Sequence, residues 1–339
     1  MKHDLQKPPA SSFERIEIDS SHAERISKPS LSFWQDAWLR IRKNKAAIAS
    51  MFILAFIIIM AFVGPMISPH DSETQTITHA NLPPKVPGIE KLGIMNGVGT
   101  LAGKEVDLYE MKKVDTYYWF GTDGLGRDMF SRVWEGTQIS LFIAFVAALI
   151  DMVIGVAYGG ISGYYGGRVD DIMQRIVEIL YGIPTLVIVI LMLSFMDPGI
   201  TAIIIAITIT GWIGMSRIVR GQVLKFKNQE FVLASRTLGA TDSRIITKHI
   251  LPNILGIIII NTMFTIPTAI FFEAFLSFIG LGLQPPDASL GTLINDGYKL
   301  IKFQPHILLY PSIIISLLMI AFNLLGDGLR DALDPKMKD

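Results

Sequence analysis

Six stretches of this chain are almost free of charge, and no other feature restricts its fold so strongly. They cover residues 46–69, 136–167, 179–196, 198–216, 250–272 and 303–326, 140 positions that hold a single charged side chain, Asp151. A helix needs about 20 apolar residues to cross a hydrocarbon core about 30 Å thick. In lipid, each backbone amide must also find its partner within its own helix or within a closed barrel. Barrel strands would alternate polar and apolar residues over about ten positions. The isoleucine runs at 203–205 and 257–260 do not alternate. Core helices of soluble proteins are seldom this long without a charge. The pattern therefore predicts an all-α membrane protein with six transmembrane helices. The first span is too long for the apolar part of a signal peptide and follows 45 mostly polar residues, so it is expected to stay uncleaved.

The charges lie between these stretches. Only 18% of the residues are charged, against roughly 25% in soluble proteins, which argues against an ordinary soluble enzyme. The 30 basic side chains balance the 30 acidic ones. A nucleic-acid partner, which needs a basic excess against phosphate, is therefore not expected. The absence of cysteine excludes disulfides, thiolate metal sites and thiol nucleophiles. Lys and Arg number nine before span one, two between spans two and three, seven between spans four and five, and three after span six. On the opposite face there are none between spans three and four, and two, Lys299 and Lys302, between spans five and six. The seven in segment 70–135 belong to a 66-residue loop, long enough to escape the positive-inside rule. Both termini are thus expected in the cytoplasm, in a multi-pass cell (plasma or inner) membrane protein with 21 of its 30 basic residues on that side.

This places a cytoplasmic segment at 1–45, span one at 46–69, an extracytoplasmic loop at 70–135, a helical core at 136–326 and a cytoplasmic tail at 327–339. Residues 1–30 are polar and carry no clear period, the pattern of a mobile segment. Ser32, with Gln35 as its capping-box partner, opens an amphipathic helix over about 32–43. Phe33, Trp34, Ala37, Trp38 and Ile41 share one face of it, and Arg40, Arg42, Lys43 and Lys45 supply charge beside anionic headgroups. Such a helix lies in the membrane interface or packs on a neighbouring helix. In the outer loop, the run Tyr117, Tyr118, Trp119 and Phe120 needs burial, so a small irregular subdomain is expected.

The loop 217–249 between spans four and five carries the most information. Glu230 to Leu238 is good helix sequence, and Gly239 is a natural stop. Thr241 or Asp242 can cap a second short helix running to about His249, and Pro252 marks the entry to span five. A short helix broken from its neighbour thus projects into the cytoplasm, with mixed charge and little exposed apolar surface. That suits docking into another protein, although composition alone also fits a solvated loop.

Ala234, Gly239, Leu251 and Pro252 stand at the spacing of the EAA signature, and the loop resembles that of permease subunits of ATP-binding cassette importers. Leu233 stands where the signature has Glu, Ser235 where it has its second Ala, and His249 at its usual Ile. Gly121, Thr122, Asp123, Gly126, Arg127 and Asp128, followed by Ser131 and Arg132, look like the GTDxxGRD…SR element of oligopeptide and dipeptide permeases, in their C-type subunit. Gly163 to Gly167 with Asp170, the run 275–286 and the run 326–335 are similar to the same family. Gln138 stands where Arg is common. The likeness runs from about residue 30 to the end.

The resemblance implies a type I ABC importer permease fold. It also implies a second homologous permease subunit, two ABC ATPase subunits that bind ATP and Mg, and an extracytoplasmic peptide-binding receptor or lipoprotein. The substrate would be an oligopeptide or dipeptide, with nickel or another small solute as the alternative. Glu230, Ala234, Ser235, Gly239, Ala240, Asp242, His249, Leu251 and Pro252 would form the loop that receives ATPase motion. The residues agree in one respect: no Gly-x-x-x-x-Gly-Lys-Ser/Thr phosphate loop occurs. The chain is therefore expected to be no enzyme, to hold no cofactor of its own, and to receive energy from another subunit. The glycine-rich run at 121–128 reads as a structural outer loop in which Asp and Arg pair, rather than an anion nest.

Charges within a bilayer are costly and face the bundle interior or a water-filled path. Asp151 and Glu273 are the candidates here, and hydrogen bonding between helices is the preferred role for both over substrate contact. Thr208, Thr210, Trp212, Asn261, Thr262 and Thr265 are polar groups that a path can use. Pro184 and Pro267 are expected to kink their helices. Gly160-Ile161-Ser162-Gly163 matches an intramembrane serine protease motif, but that chemistry needs a His beside the Ser. His70 and His79, near Asp71 and Glu73, fit no strong metal spacing. A secondary carrier using Asp151 and Glu273 as ion ligands is the remaining alternative. The scarcity of such groups, and the lack of an inverted repeat, argue against it.

Overall fold

A computed structural model describes residues 32–101, 104–197 and 199–333. The expectations for residues 1–30 and for the tail beyond 333 lie outside them. The chain is a helical bundle with a small outer subdomain inserted after the first long helix. Helix α1 (Phe33–Lys43) opens with the expected capping box: Ser32 Oγ accepts from the Gln35 amide, and Gln35 Oε1 from the Ser32 amide. Its Ala37 and Ile41 pack on the last helix of the chain, while Trp34 and Trp38 stay exposed. Asn44 then caps α2 (Lys45–Ile67) by accepting from the Ala46 and Ala47 amides.

Among the described residues, the subdomain after α2 is the part that departs from all-α character. It holds a hairpin of β1 (Val98–Leu101) and β2 (Lys104–Asp107), paired antiparallel with Gly99 opposite Val106, and a short helix α3 (Leu108–Lys112) capped by Asp107. Leu82, Tyr109, Val114 and Tyr118 form its core, so one aromatic of the 117–120 run is buried there. Trp119 and Phe120 instead pack edge-on against Phe130 at the end of the bundle.

The bundle continues with α4 (Met129–Tyr165), α5 (Gly167–Gly182), α6 (Thr185–Phe195) and α7 (Ile200–Phe226). Two short loop helices follow, α8 (Glu230–Thr237) and α9 (Asp242–Arg244). A π-turn over Ile245–Ile250 leads into α10 (Leu251–Phe278), and α11 (Leu290–Leu300) and α12 (Pro305–Leu333) complete the chain. Among the described residues five helical runs are long and apolar enough to cross a membrane: α2, α4, α7, Asp242–Phe278 and α12. The pair α5 and α6 makes a sixth only as a broken span, bent by 82°.

The kink expected at Pro184 is thus a full break in the third span expected at 179–196. Ile183 precedes Pro184 and is held extended (φ −91°, ψ 125°), as the proline ring demands of its predecessor. Pro184 becomes the cap of α6, and the 11 residues of α6 reach only about 16 Å. Pro267, by contrast, lies inside a continuous α10. Other boundaries move outward. Helix α4 starts at Met129 because Asp128 caps it by accepting from the Ser131 amide, 3.0 Å away. Helix α7 runs on to Phe226 as an amphipathic extension that buries Val219 and Val223. Residues 327–333 of the expected tail belong to α12.

Helices α4 and α7 run parallel along a glycine seam. A Cβ at Gly155 would stand 2.9 Å from the Trp212 carbonyl oxygen, one at Gly159 2.3 Å from that of Ser216, and one at Gly163 2.9 Å from that of Arg220. Four-residue spacing on both helices brings backbone against backbone, the small-xxx-small geometry of membrane helix pairs.

Candidate functional site

A cavity of about 450 Å³ lies between α4, α7 and α10. Asp151, Thr210, Asn261 and Thr265, singled out from the sequence, all line it, together with Thr185, Gly211 and Thr268. Asp151 is 4% exposed, and its Oδ1 has no hydrogen-bond partner. It rests on bare backbone: a Cβ at Gly211 would come within 2.2 Å of Oδ2. Asn261 Nδ2, Thr265 Oγ1 and Thr268 Oγ1 each donate to the carbonyl four residues earlier in α10, at 2.7, 3.0 and 2.9 Å. The hydroxyl hydrogens of the two threonines are thus spent, and what they offer is acceptor oxygen; the Asn261 amide has used one of its two N–H donors and keeps its acceptor oxygen. Thr208, Thr262 and Trp212 do not line the cavity; each donates to a nearby backbone carbonyl of its own helix.

Glu273 is not part of this cavity. It is fully buried and accepts from Ser140 Oγ and Ser277 Oγ, both at 2.8 Å. Ser140 Oγ in turn accepts from the Leu290 amide at 3.2 Å, and Ser289 Oγ donates to Ser277 Oγ at 3.3 Å. The carboxyl group thereby ties α4, α10 and the start of α11 together. This is the inter-helix role expected of it, and the role preferred for Asp151 is not what surrounds Asp151.

The loop between α7 and α10 folds as a broken helix. Leu238 caps α8, and Gly239 turns the chain with φ +81°, a conformation that favours glycine. Thr241 caps α9 through the Arg244 amide. Helix α9 is not a separate element ending at His249, as expected; the π-turn carries it without interruption into α10, and Leu251 and Pro252 form the first turn of that helix. Glu230 and Ala234 are exposed, Ser235 donates to the Phe231 carbonyl, and Ala240 packs against the inner core. The expectation of little apolar surface is corrected: Phe231, Leu233 and Leu238 are exposed, because the one buried side chain of α8, Val232, faces the bundle.

One tyrosine, which the sequence marked only as part of the family run 163–167, joins this loop to the bundle. Tyr164, in the last turn of α4, donates to Asp242 Oδ1 at 2.7 Å and accepts from Arg236 Nη2 at 3.3 Å. The Arg236 guanidinium also lies over its ring. Beside it Lys227 Nζ donates to the Gly163 carbonyl. Asp170, which the sequence singled out only as a family position, takes a bidentate bond from Arg220 Nε and Nη2, both at 2.6 Å. Ser162 Oγ donates to the same carboxylate and accepts from Gln174, so this hydroxyl sits in a carboxylate network with no His beside it.

At the other end, the glycine-rich outer loop locks the subdomain to α4. Arg127 Nε meets Asp123 Oδ2 at 2.7 Å, and Asp123 Oδ1 accepts from the Leu125 and Arg127 amides. The Leu82 amide donates to Thr122 Oγ1, and Ser68 Oγ to Asp128 Oδ2. Gly121 and Gly126 adopt positive φ, and a Cβ at Gly126 would overlap the Thr76 carbonyl at 1.9 Å. His70 meets Thr116 Oγ1 and His79 meets the Tyr118 hydroxyl, each at 2.8 Å. Burial, then the nearby His70 and Lys112, hold the His79 imidazole below its ordinary pKa. Burial raises the Tyr118 phenol.

Comparison with known proteins fits this arrangement. Residues 153–339 match the model of the family described as "binding-protein-dependent transport system inner membrane component". Residues 32–84 match the "N-terminal TM domain of oligopeptide transport permease C". The dipeptide transport system permease protein DppC of Bacillus subtilis is 51% identical over 93% of this chain and 90% of its own length. The oligopeptide transport system permease protein OppC of the same organism is 47% identical over 98% of this chain and 100% of its own. Among solved structures, an inward-facing conformation of the MetNI methionine ABC transporter aligns with a TM-score of 0.51 at 21% identity. It covers 60% of this chain and 97% of that one, a likeness of fold.

Proposed function

This chain belongs to the family of binding-protein-dependent transport system inner membrane components, and from that membership we propose that it is one permease half of an ATP-binding cassette importer of oligopeptides or dipeptides. The observation that carries the reading is the pairing of a cavity between α4, α7 and α10 with a broken helix, α8, at the bundle end where α4 terminates. In this reading the bundle crosses the membrane six times, with α5 and α6 as a bent third crossing and both termini cytoplasmic. A second, homologous permease covers the open side of the cavity. Two ATPase subunits, which bind ATP and Mg, grip α8 by its exposed Phe231, Leu233 and Leu238. An extracytoplasmic receptor delivers the peptide to the outer face. The chain itself performs no chemistry and holds no cofactor.

Tyr164 and Val232 are the parts that move the bundle when α8 moves. Glu230, Ala234 and Ser235 lie on α8 itself, and Gly239 and Asp242 form the turn beyond it. The test is co-purification and uptake. A tagged chain is expected to bring down a second permease and an ATPase, and the assembled complex to import labelled peptide only with ATP. Retrieval of neither subunit, or import of nickel ion without peptide, contradicts the reading. Gly239→Pro cannot take the φ of +81° at that position. It is expected to abolish uptake while the chain stays in the membrane, and normal uptake by this variant removes α8 from the coupling role.

A further inference from the structure

We infer that Asp151 is a station for the α-ammonium group of a peptide passing through the cavity, and that it orients the peptide with its amino end toward α4. The inference rests on the peptide reading above. It begins from an imbalance. A carboxylate in a membrane bundle normally has a cation or hydrogen-bond donors beside it. Asp151 is 4% exposed, yet its Oδ1 lacks a partner. The nearest part of α7 is the bare backbone of Gly211. Among the described residues lining the cavity there is no Lys, Arg or His.

The other polar atoms there point the same way. Thr265 and Thr268 have their hydroxyl hydrogens committed to carbonyls of α10, so they present oxygens, and Asn261, with one N–H committed in the same way, adds its amide oxygen. The remaining wall is largely apolar, with Ile207, Met215 and Phe272 among its residues. A lining of one carboxylate and several acceptor oxygens complements a group that carries positive charge and several N–H donors and accepts nothing. A peptide's ammonium has three such donors, whereas its terminal carboxylate carries the same charge as Asp151 and is repelled by it. The cavity thus favours one end of a peptide over the other and leaves its side chains to an apolar surface. A sequence-tolerant carrier needs that arrangement, since every peptide with a free amino end carries the same ammonium group.

The test uses the assembled importer in proteoliposomes, loaded with one labelled tripeptide in its free-amine form and in its N-acetylated form. The readout is the ratio of the variant's maximal uptake rate to the wild type's for each peptide, in which the receptor's own preference cancels. Asp151→Asn is expected to lower the rate for the free-amine peptide by about tenfold, the scale of one charge-assisted hydrogen bond, and to leave the acetylated peptide within about twofold. Asp151→Glu keeps the charge and is expected to recover most of the free-amine rate. Thr265→Val, nearly isosteric and mild for assembly, is expected to give a smaller loss with the same selectivity. An equal fall for both peptides in Asp151→Asn and Thr265→Val, or no fall in either, overturns the station while leaving the peptide reading intact. Wild-type complexes that import neither peptide overturn the peptide reading itself, and the station with it.

Discussion

Asp151 and Glu273 look alike in the sequence, two lone carboxyl groups in otherwise apolar helices, and the fold treats them in opposite ways. Glu273 sits where three elements meet, and two serine hydroxyls point at it. Asp151 sits against a glycine and beside open space. One group is consumed by holding the bundle together; the other is left with capacity to spare. The difference comes from neighbours that lie far away along the chain: Ser140 is 133 residues from Glu273. A rare intramembrane charge therefore marks a position as special without saying whether it serves architecture or traffic.

The largest expected effect tests the architectural side. Glu273→Ala strands the Ser140 and Ser277 hydroxyls and opens a void, and should cost about 3 kcal/mol of stability. Asp151→Asn should change stability by less than about 1 kcal/mol, because no donor is lost. Thermal unfolding in detergent compares them, and equal losses would erase the distinction. The glycines beside the two acids sharpen it. A Cβ at Gly282 would stand 2.3 Å from the Ser277 Cα, so backbone must move, and Gly282→Ala should cost about 2 kcal/mol. In Gly211→Ala the atoms nearest the new methyl are those of the Asp151 carboxyl, a side chain that can turn aside, so stability should fall by less than about 1 kcal/mol while peptide uptake drops.

Tyr164 is a third case, a satisfied group on what we propose to be a moving joint. Tyr164→Phe removes both hydrogen bonds and keeps the ring, a loss of about 1 kcal/mol. Uptake per ATP hydrolysed should fall further than stability does; an unchanged ratio places the joint elsewhere. The smallest effect lies outside the bundle, where water can supply what Asp151 lacks. The His79 pKa is lowered on folding, chiefly by burial, so the unfolded chain binds the proton more readily. Its contribution to the outer subdomain is present above the ordinary imidazole value of about 6.5 and is lost as pH falls below it. Trp119 fluorescence on titration from pH 8 to 5 should report a loosening that His79→Gln weakens.

Much of the fold was legible because lipid demands long uncharged helices, and five such runs formed close to where the charge gaps lie. The stop at Gly239 and the Ser32 capping box were legible because capping is local chemistry. The extension of α7 to Phe226 was hidden by its arginines, which read as loop although one of them, Arg220, is spent on Asp170. The break at Pro184 was visible as a proline, but not its angle, which depends on what α5 packs against. In the candidate site, Asp151, Asn261 and Thr265 were named correctly as polar groups, yet only the cavity brings them together. Tyr164 was marked only as part of the family run 163–167, since the role of a tyrosine at a helix end is hidden until its partners are known.

The glycine seam has a mechanical consequence. Helices that approach this closely over Gly155, Gly159 and Gly163 have no α4 side chains at these positions to shear or re-rotamerise, and α7 meets them with backbone and the side chains of Met215 and Val223. They behave as a single stiff plate, and Asp151 and Gly211 are fixed on that plate at constant separation. Asn261 and Thr265 stand on the facing wall, α10, which is held to α4 by the Glu273–Ser140 hydrogen bond rather than by such a seam. If the cavity widens and narrows in a working cycle, the travel belongs to that second wall, and the carboxylate is the stationary reference against which the opening is measured.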